Sequence, residues 1–405
     1  MIIKYFVLLS LLMVNSAFPA DSSFWAGSRQ DGVYPDTGLL QEWPENGPVL
    51  LWQVDDIGTG YSTVGVVDDR VFVSGMVDNT GTLFAFDHAG NELWRTSYGA
   101  EWTRTFPGTR STPVVYDGRI YIETAQGVVF CFEAAHGEIL WQSSLFEHYG
   151  GDNIQYGLAE SVLIHGDMVI CTPGGVKNNI VALNRLTGDL IWSSAAKSEP
   201  PAYCSPTVIQ HNGRNMIITI TASSILALEL ETGNLLWDHI FYSRNGYFPN
   251  TPIYRNGFLY SVSGYRSGGI MLQLSPDGED VKEIWRNASL DNLMGGVVEV
   301  NGFIYGAGHM NDPSWQCLDW HSGEARWSTD EIVQGGVITA DGLLFCYSED
   351  GMVHLVQVDP TQFRLKGSFA VEVGSGEHFA HPVLDNGRLY IRHGSSLQVF
   401  NVKQG

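Results

Sequence analysis

The sequence predicts an all-β fold, an eight-bladed β-propeller of four-stranded antiparallel blades, on three observations. A tight-turn dipeptide recurs eight times between short β-rich runs, at Asp68-Asp69, Asp117-Gly118, His165-Gly166, Asn212-Gly213, Asn256-Gly257, Asn301-Gly302, Asp341-Gly342 and Asn386-Gly387. Trp follows a turn Gly by four residues at Trp94, Trp141, Trp192, Trp237 and Trp327, and closes a longer loop at Trp285. The last unit, "HPVLDNGRLYIRHGSSLQVFNV", has three strand-like runs and no fourth, whereas Trp52 in "GPVLLWQVD" lies on a fourth strand with no first three.

Each element follows from local chemistry. Residues 1–20 carry one Lys, a short apolar run and then small residues, the layout of an export signal too short to span a bilayer. Residues 21–47 form a leader with Trp25, Arg29 and Trp43 among Gly and Pro, expected to cross one end of the propeller and plug or line its channel. Each unit from 48 to 405 then opens on a run such as "TPVVY" or "SPTVI". Its dipeptide suits a two-residue hairpin loop, because both positions want positive φ and Gly adopts it without a Cβ clash. Runs rich in β-branched and aromatic residues follow, "RIYIET" then "VVFCFE", and a Gly-containing turn leads to the strand bearing Trp. The period of 40–50 residues is that of a propeller blade. A single such sheet has two faces to bury, and radial packing of eight buries both. Near Phe369 the Trp is missing. Pairing residues 48–54 with the C-terminal blade closes the ring and removes an exposed strand edge.

Composition narrows the partners. A net charge of −22, or −23 once Lys4 leaves with the signal, repels phosphate backbones and anionic lipid, so neither nucleic acid nor membrane is expected. The five Cys residues sit in apolar runs without a CxxC and read as buried small hydrophobes. The loops "SPDGED" and "GGDNIQ" read as turns, and no metal site is predicted. No GxSxG, Walker or dinucleotide fingerprint occurs.

The units "GVVFCFEAAHGEILW", "NIVALNRLTGDLIW" and "SILALELETGNLLW" resemble the ALDxxTGxxxW repeat of the PQQ-like β-propeller family, typified by quinoprotein alcohol dehydrogenases and by an outer-membrane assembly lipoprotein. The leader resembles that of exported, single-domain members. The resemblance implies a periplasmic or secreted protein and allows PQQ with Ca²⁺ as cofactor. The neighbouring cysteine pair and long inserted loops of the catalytic members are absent here, as is a lipidated Cys.

In a propeller the segments that precede the innermost strands meet at one end of the channel. They carry Tyr61, Arg110, Glu160, Tyr203, Asn250, Asn292, His378 and His381. Arg110 suits a carboxylate fork, Glu160 a base and His381 an acid/base, with Tyr61, Trp102, Tyr203, Asn250, Asn292 and His378 as binding groups. Against this, Arg110 and Glu160 could simply pair, His381 cap a strand, and Trp102 and Trp320 pack in the core. The main expectation is a monomeric binding module for a sugar-like or quinone-like small molecule or a protein. The alternative is a PQQ-dependent oxidoreductase acting on an alcohol or sugar, and a third reading is a glycan-processing enzyme.

Overall fold

The structure, a computed structural model, describes residues 22–405, so residues 1–20, where an export signal is expected, lie outside the described residues. Eight antiparallel sheets follow in chain order at 65–100, 114–144, 163–194, 207–240, 253–287, 297–329, 335–370 and 383–401, the last completed by Val49–Val54. We number these blades one to eight. At six of the hairpin dipeptides, from Asp117-Gly118 to Asn386-Gly387, both residues have positive φ, as the tight loop requires.

Ring closure takes the expected form, with the strand starting one residue later than expected. Val49–Val54 pairs antiparallel with Ser396–Asn401, Leu50 opposite Phe400 and Trp52 opposite Val399, with a bulge between. The same bulge precedes the Trp position in every other blade, for example between Ile139 and Trp141. The extra residue reorients the strand so that the indole turns to the next blade.

What the indole meets there explains the Gly-to-Trp spacing. A Cβ on Gly90, Gly137, Gly188, Gly233 or Gly323 would sit 2.4 to 2.9 Å from the Trp ring of the preceding blade, at Trp52, Trp94, Trp141, Trp192 and Trp285. Several indoles also donate to a carbonyl of that turn, Trp52 Nε1 to His88 O at 3.0 Å and Trp141 Nε1 to Arg185 O at 3.0 Å. Gly and Trp of one unit thus serve two different interfaces.

Blade seven has Gly367 where the others have Trp. The leader fills the gap. Trp43 packs on Phe369 and Phe345 at ring-centroid distances of 4.9 and 6.2 Å, and a Cβ on Gly367 would lie 2.9 Å from Trp43 Cβ. Phe345 holds the second-strand place from which Tyr121 and Tyr305 meet Trp141 and Trp327 in their own blades.

Earlier in the leader, Ser22–Ser23 extends the sheet of blade two beside Val114–Tyr116, and Val33 bridges Thr339 of blade seven. Between them Asp31 is buried against Arg255 of blade five at 2.5 Å. This crossing covers the hairpin end of the channel. All five cysteines are buried and unpaired.

Candidate functional site

In the segments that enter the innermost strands, side chains two residues apart come to the channel together. The lower tier is Thr63, Thr112, Ser161, Ser205 and Thr251, with Gly296, Gly336 and His381 in the equivalent places. Its hydroxyls staple neighbouring blades: the amide of Thr63 donates to Thr112 Oγ1 at 3.2 Å, that of Thr112 to Ser161 Oγ at 3.0 Å, and that of Ser161 to Ser205 Oγ at 2.8 Å. Two residues earlier in every blade but the seventh, Tyr61, Arg110, Ala159, Tyr203, Pro249, Met294 and Phe379 form the upper tier. Together with Ser161, Ser205 and His381 they enclose a cavity of about 100 Å³, and Trp25 of the leader closes its floor against His381 at 4.7 Å.

Arg110 dominates the electrostatics. One of its terminal nitrogens donates to Phe106 O at 2.7 Å and Thr105 O at 3.3 Å, while its Nε is buried without a partner. The guanidinium lies 6.0 Å from the Tyr61 ring and 5.8 Å from that of Trp102, and among the described residues no carboxylate forms an ion pair with it. Glu101 acts on it electrostatically, but burial raises that carboxyl to about 7 and blunts its charge. Burial lowers the Arg110 pKa from its ordinary value, though an arginine remains charged at any working pH.

Tyr61 donates to Glu377 at 2.9 Å, and burial followed by that bond pushes its phenol up to about 12. His381 donates Nε2–H to Met294 O at 2.6 Å; burial lowers its pKa and favours the neutral ring. Donation through Nε2 leaves Nδ1 as the acceptor.

The structure therefore brings together Tyr61, Arg110, Tyr203 and His381. Glu160 does not join them: Ala159 and Ser161 on either side face the cavity, so Glu160 turns into the wall, accepting from the amide of Thr172 at 2.6 Å, and it does not pair with Arg110. Asn250 and Asn292 are buried staples, donating to Asn292 O at 3.0 Å and Ala307 O at 2.8 Å. His378 stands back from the cavity, bonded to Tyr347 and stacked on His393 at 3.7 Å. Trp102 is buried behind Arg110, and Trp320 packs in the core on Tyr260.

Sequence reasoning named Tyr61 and Tyr203 but missed the arc of rings around the rim to which they belong. Tyr61, Phe379, Phe106, Tyr156, Tyr247 and Tyr265 follow one another at centroid separations of 5.5 to 6.3 Å, with Tyr203 beside Tyr247 at 5.6 Å. All are half-buried, and Phe106, Tyr203 and Tyr265 have positive φ, unusual for bulky residues and frequent at binding sites. No local motif marks them, since they come from loops of different length.

A planar polycarboxylate such as PQQ would find a cation and ring faces at this mouth. Calcium would not find its donors: it takes six to eight oxygens, carboxylates prominent among them, and no Asp or Glu lines the cavity. The residues present do not fit a quinone–calcium centre.

Fold and mouth define an eight-bladed propeller whose channel is closed at one end and opens at the other on a cationic, ring-lined cavity. The chain belongs to the PQQ-type propeller family described as outer membrane protein assembly factor BamB, whose profile matches residues 44–145 and 79–329. It is similar to the tetrathionate hydrolase of Acidithiobacillus ferrooxidans, 25% identical over 53% of this chain and 44% of that protein. It is also similar to the quinoprotein ethanol dehydrogenase of Pseudomonas aeruginosa, 25% identical over 53% of this chain and 35% of that protein. The chain thus spans less than half the length of these relatives. The crystal structure of BamB from Moraxella catarrhalis superposes with a TM-score of 0.61 at 17% identity, covering 88% of this chain and 99% of that one, a likeness of fold.

Proposed function

We propose that this protein is a binding propeller that captures a small carboxylate-bearing molecule with a planar or ring portion at the mouth. One observation carries the reading: Arg110 stands in a half-buried cavity without a counter-ion, its Nε unpartnered, between aromatic faces. A buried guanidinium fork is matched by a carboxylate, and the rings of the rim supply stacking area. The family includes both an assembly factor and dehydrogenase relatives. Binding without turnover is favoured here because the cavity lining lacks calcium donors and Nε2 of His381 is committed to Met294. On this reading the protein is exported and acts as a monomer.

The test is a thermal-shift and calorimetric screen of aromatic and sugar carboxylates against their neutral amides. A carboxylate that binds should bind at least tenfold more weakly to Arg110→Ala, since a hydrogen bond to a charged group contributes about 1.5–3 kcal/mol. Preference for the amides, or affinity unchanged in Arg110→Ala, would refute the assignment. Dye reduction by an alcohol in the presence of PQQ and Ca²⁺ would favour the oxidoreductase instead.

A further inference from the structure

Directly behind the mouth wall, three side chains from separate segments converge. Glu123 ends the strand Arg119–Glu123 of blade two, Cys171 ends Met168–Cys171 of blade three, and Glu160 lies in the segment that enters blade three. One carboxylate oxygen of each glutamate and the Cys171 sulfur all lie within 4.8 Å of one another. All three residues are buried, with Glu123 only 1% exposed.

Glu123 is the anomaly. Neither of its oxygens has a hydrogen-bond donor. The group facing it is the Glu160 carboxyl, another acceptor unless one of the two holds a proton. No Lys, Arg or His among the described residues forms an ion pair with either carboxyl. Burying two uncompensated carboxylates is costly. A proton shared between them would serve one contact, leaving the second Glu123 oxygen unsatisfied and giving the thiol no part.

We propose that Glu123, Glu160 and Cys171 bind a divalent, thiolate-accepting cation, for which Zn²⁺ has the right chemistry. Zinc takes carboxylate oxygen and thiolate sulfur together in a four-coordinate shell, whereas calcium and magnesium take oxygen alone. With the thiolate, the two carboxylates outweigh its charge by one, against the two uncompensated charges of the ionised pair alone. Burial holds the free thiol protonated, and the ion displaces that proton to solvent on binding. A fourth position remains for the Thr172 hydroxyl or a water. The mouth lies on the other side of this wall, since Ala159 and Ser161, on either side of Glu160, line the cavity. The bound ion would tie blade two to blade three beneath Arg110.

The whole protein, stripped with a chelator, is titrated with Co²⁺ as a spectroscopic stand-in for zinc and, separately, with Zn²⁺ in thermal melts. The wild type should develop a thiolate-to-cobalt charge-transfer band saturating at one equivalent, and Zn²⁺ should raise its Tm. Cys171→Ser should lose the band, which assigns it against the other four cysteines, and Glu123→Gln, of equal size, should weaken Co²⁺ binding at least tenfold. Arg110→Ala should leave the band intact, keeping this site separate from the mouth ligand. Absence of a band in folded wild type, or a band retained at full affinity in both Cys171→Ser and Glu123→Gln, would overturn the proposal and leave the shared proton as the explanation.

Discussion

Glu101 and Arg110 show how one buried wall holds an acid and a base without joining them. Glu101 accepts from Tyr98 Oη at 3.0 Å and from the amide of Ala125 at 3.1 Å, but burial outweighs these bonds and raises its carboxyl from 4.5 to about 7. Between those two values the folded state holds a proton that the unfolded chain has released. Stability from this group is therefore complete below pH 4.5, falls as pH rises and is lost above about 7. At 1.36 kcal/mol per unit the whole change is about 3 kcal/mol. Glu123, raised by burial and then by the facing Glu160 carboxyl, and Glu160, raised by burial, act in the same direction. Urea unfolding at pH 5 and pH 8 should show the wild type less stable at the higher pH, and Glu101→Gln should remove a share of that drop approaching about 3 kcal/mol. An undiminished drop in the variant would mean that Glu101 titrates as an ordinary surface carboxyl. Arg110 was legible from its place before an innermost strand. The same rule failed for Glu160 because it took whole segments, whereas alternation sends neighbouring side chains to opposite sides.

At the scale of the blade, the repeat's Gly and Trp were visible in sequence but their pairing was not. Gly233 receives Trp192 of the preceding blade, a relation that spans two sheets and leaves no local pattern. Two glycines separate the packing role from the conformational one. Both Gly233 and Gly213 have positive φ, at 70° and 87°, but a Cβ on Gly233 would lie 2.4 Å from the Trp192 ring and one on Gly213 would meet nothing within 4 Å. Gly213→Ala should therefore cost only the left-handed conformation, about 1–2 kcal/mol. Gly233→Ala adds overpacking of about 1–3 kcal/mol and should cost roughly twice as much or more. Equal losses in denaturant unfolding would show that the indole is not seated on this turn. The leader hid more. The sequence shows Trp43 as an aromatic among Gly and Pro and, far from it, a missing Trp near Phe369, yet only packing reveals that one supplies the other. The rim aromatics were obscured because their loops differ in length and share no register.

Over the whole molecule, the two ends of the chain meet at a seam that no covalent bond crosses. Among the contacts that hold it are the ladder between Val49–Val54 and Ser396–Asn401, the Trp52 indole on Tyr390 at 6.4 Å, the leader's bonds to the C-terminal strands such as Leu40 N–H to Val402 O at 2.8 Å, and the buried Arg392 of blade eight. Arg392 donates to Ser62 O, Ser62 Oγ, Ser74 O, Gly58 O and Gly394 O, and all but the last belong to the first blade or the segment leading into it. Elsewhere in the ring a continuous chain links each blade to the next, so loosening an interior Trp lets neighbouring blades separate no further than their connection allows. The seam has no such limit. Trp52→Ala should accordingly speed amide hydrogen exchange first in 49–54 and 396–401, through local opening, while blades three and four keep wild-type protection. Trp192→Ala, which removes an interior indole, should instead lower protection across blades three and four with the seam no faster than the rest. If Trp52→Ala accelerated every blade equally, the ring would open only by unfolding as a whole, and the seam would be as strong as any interface inside it.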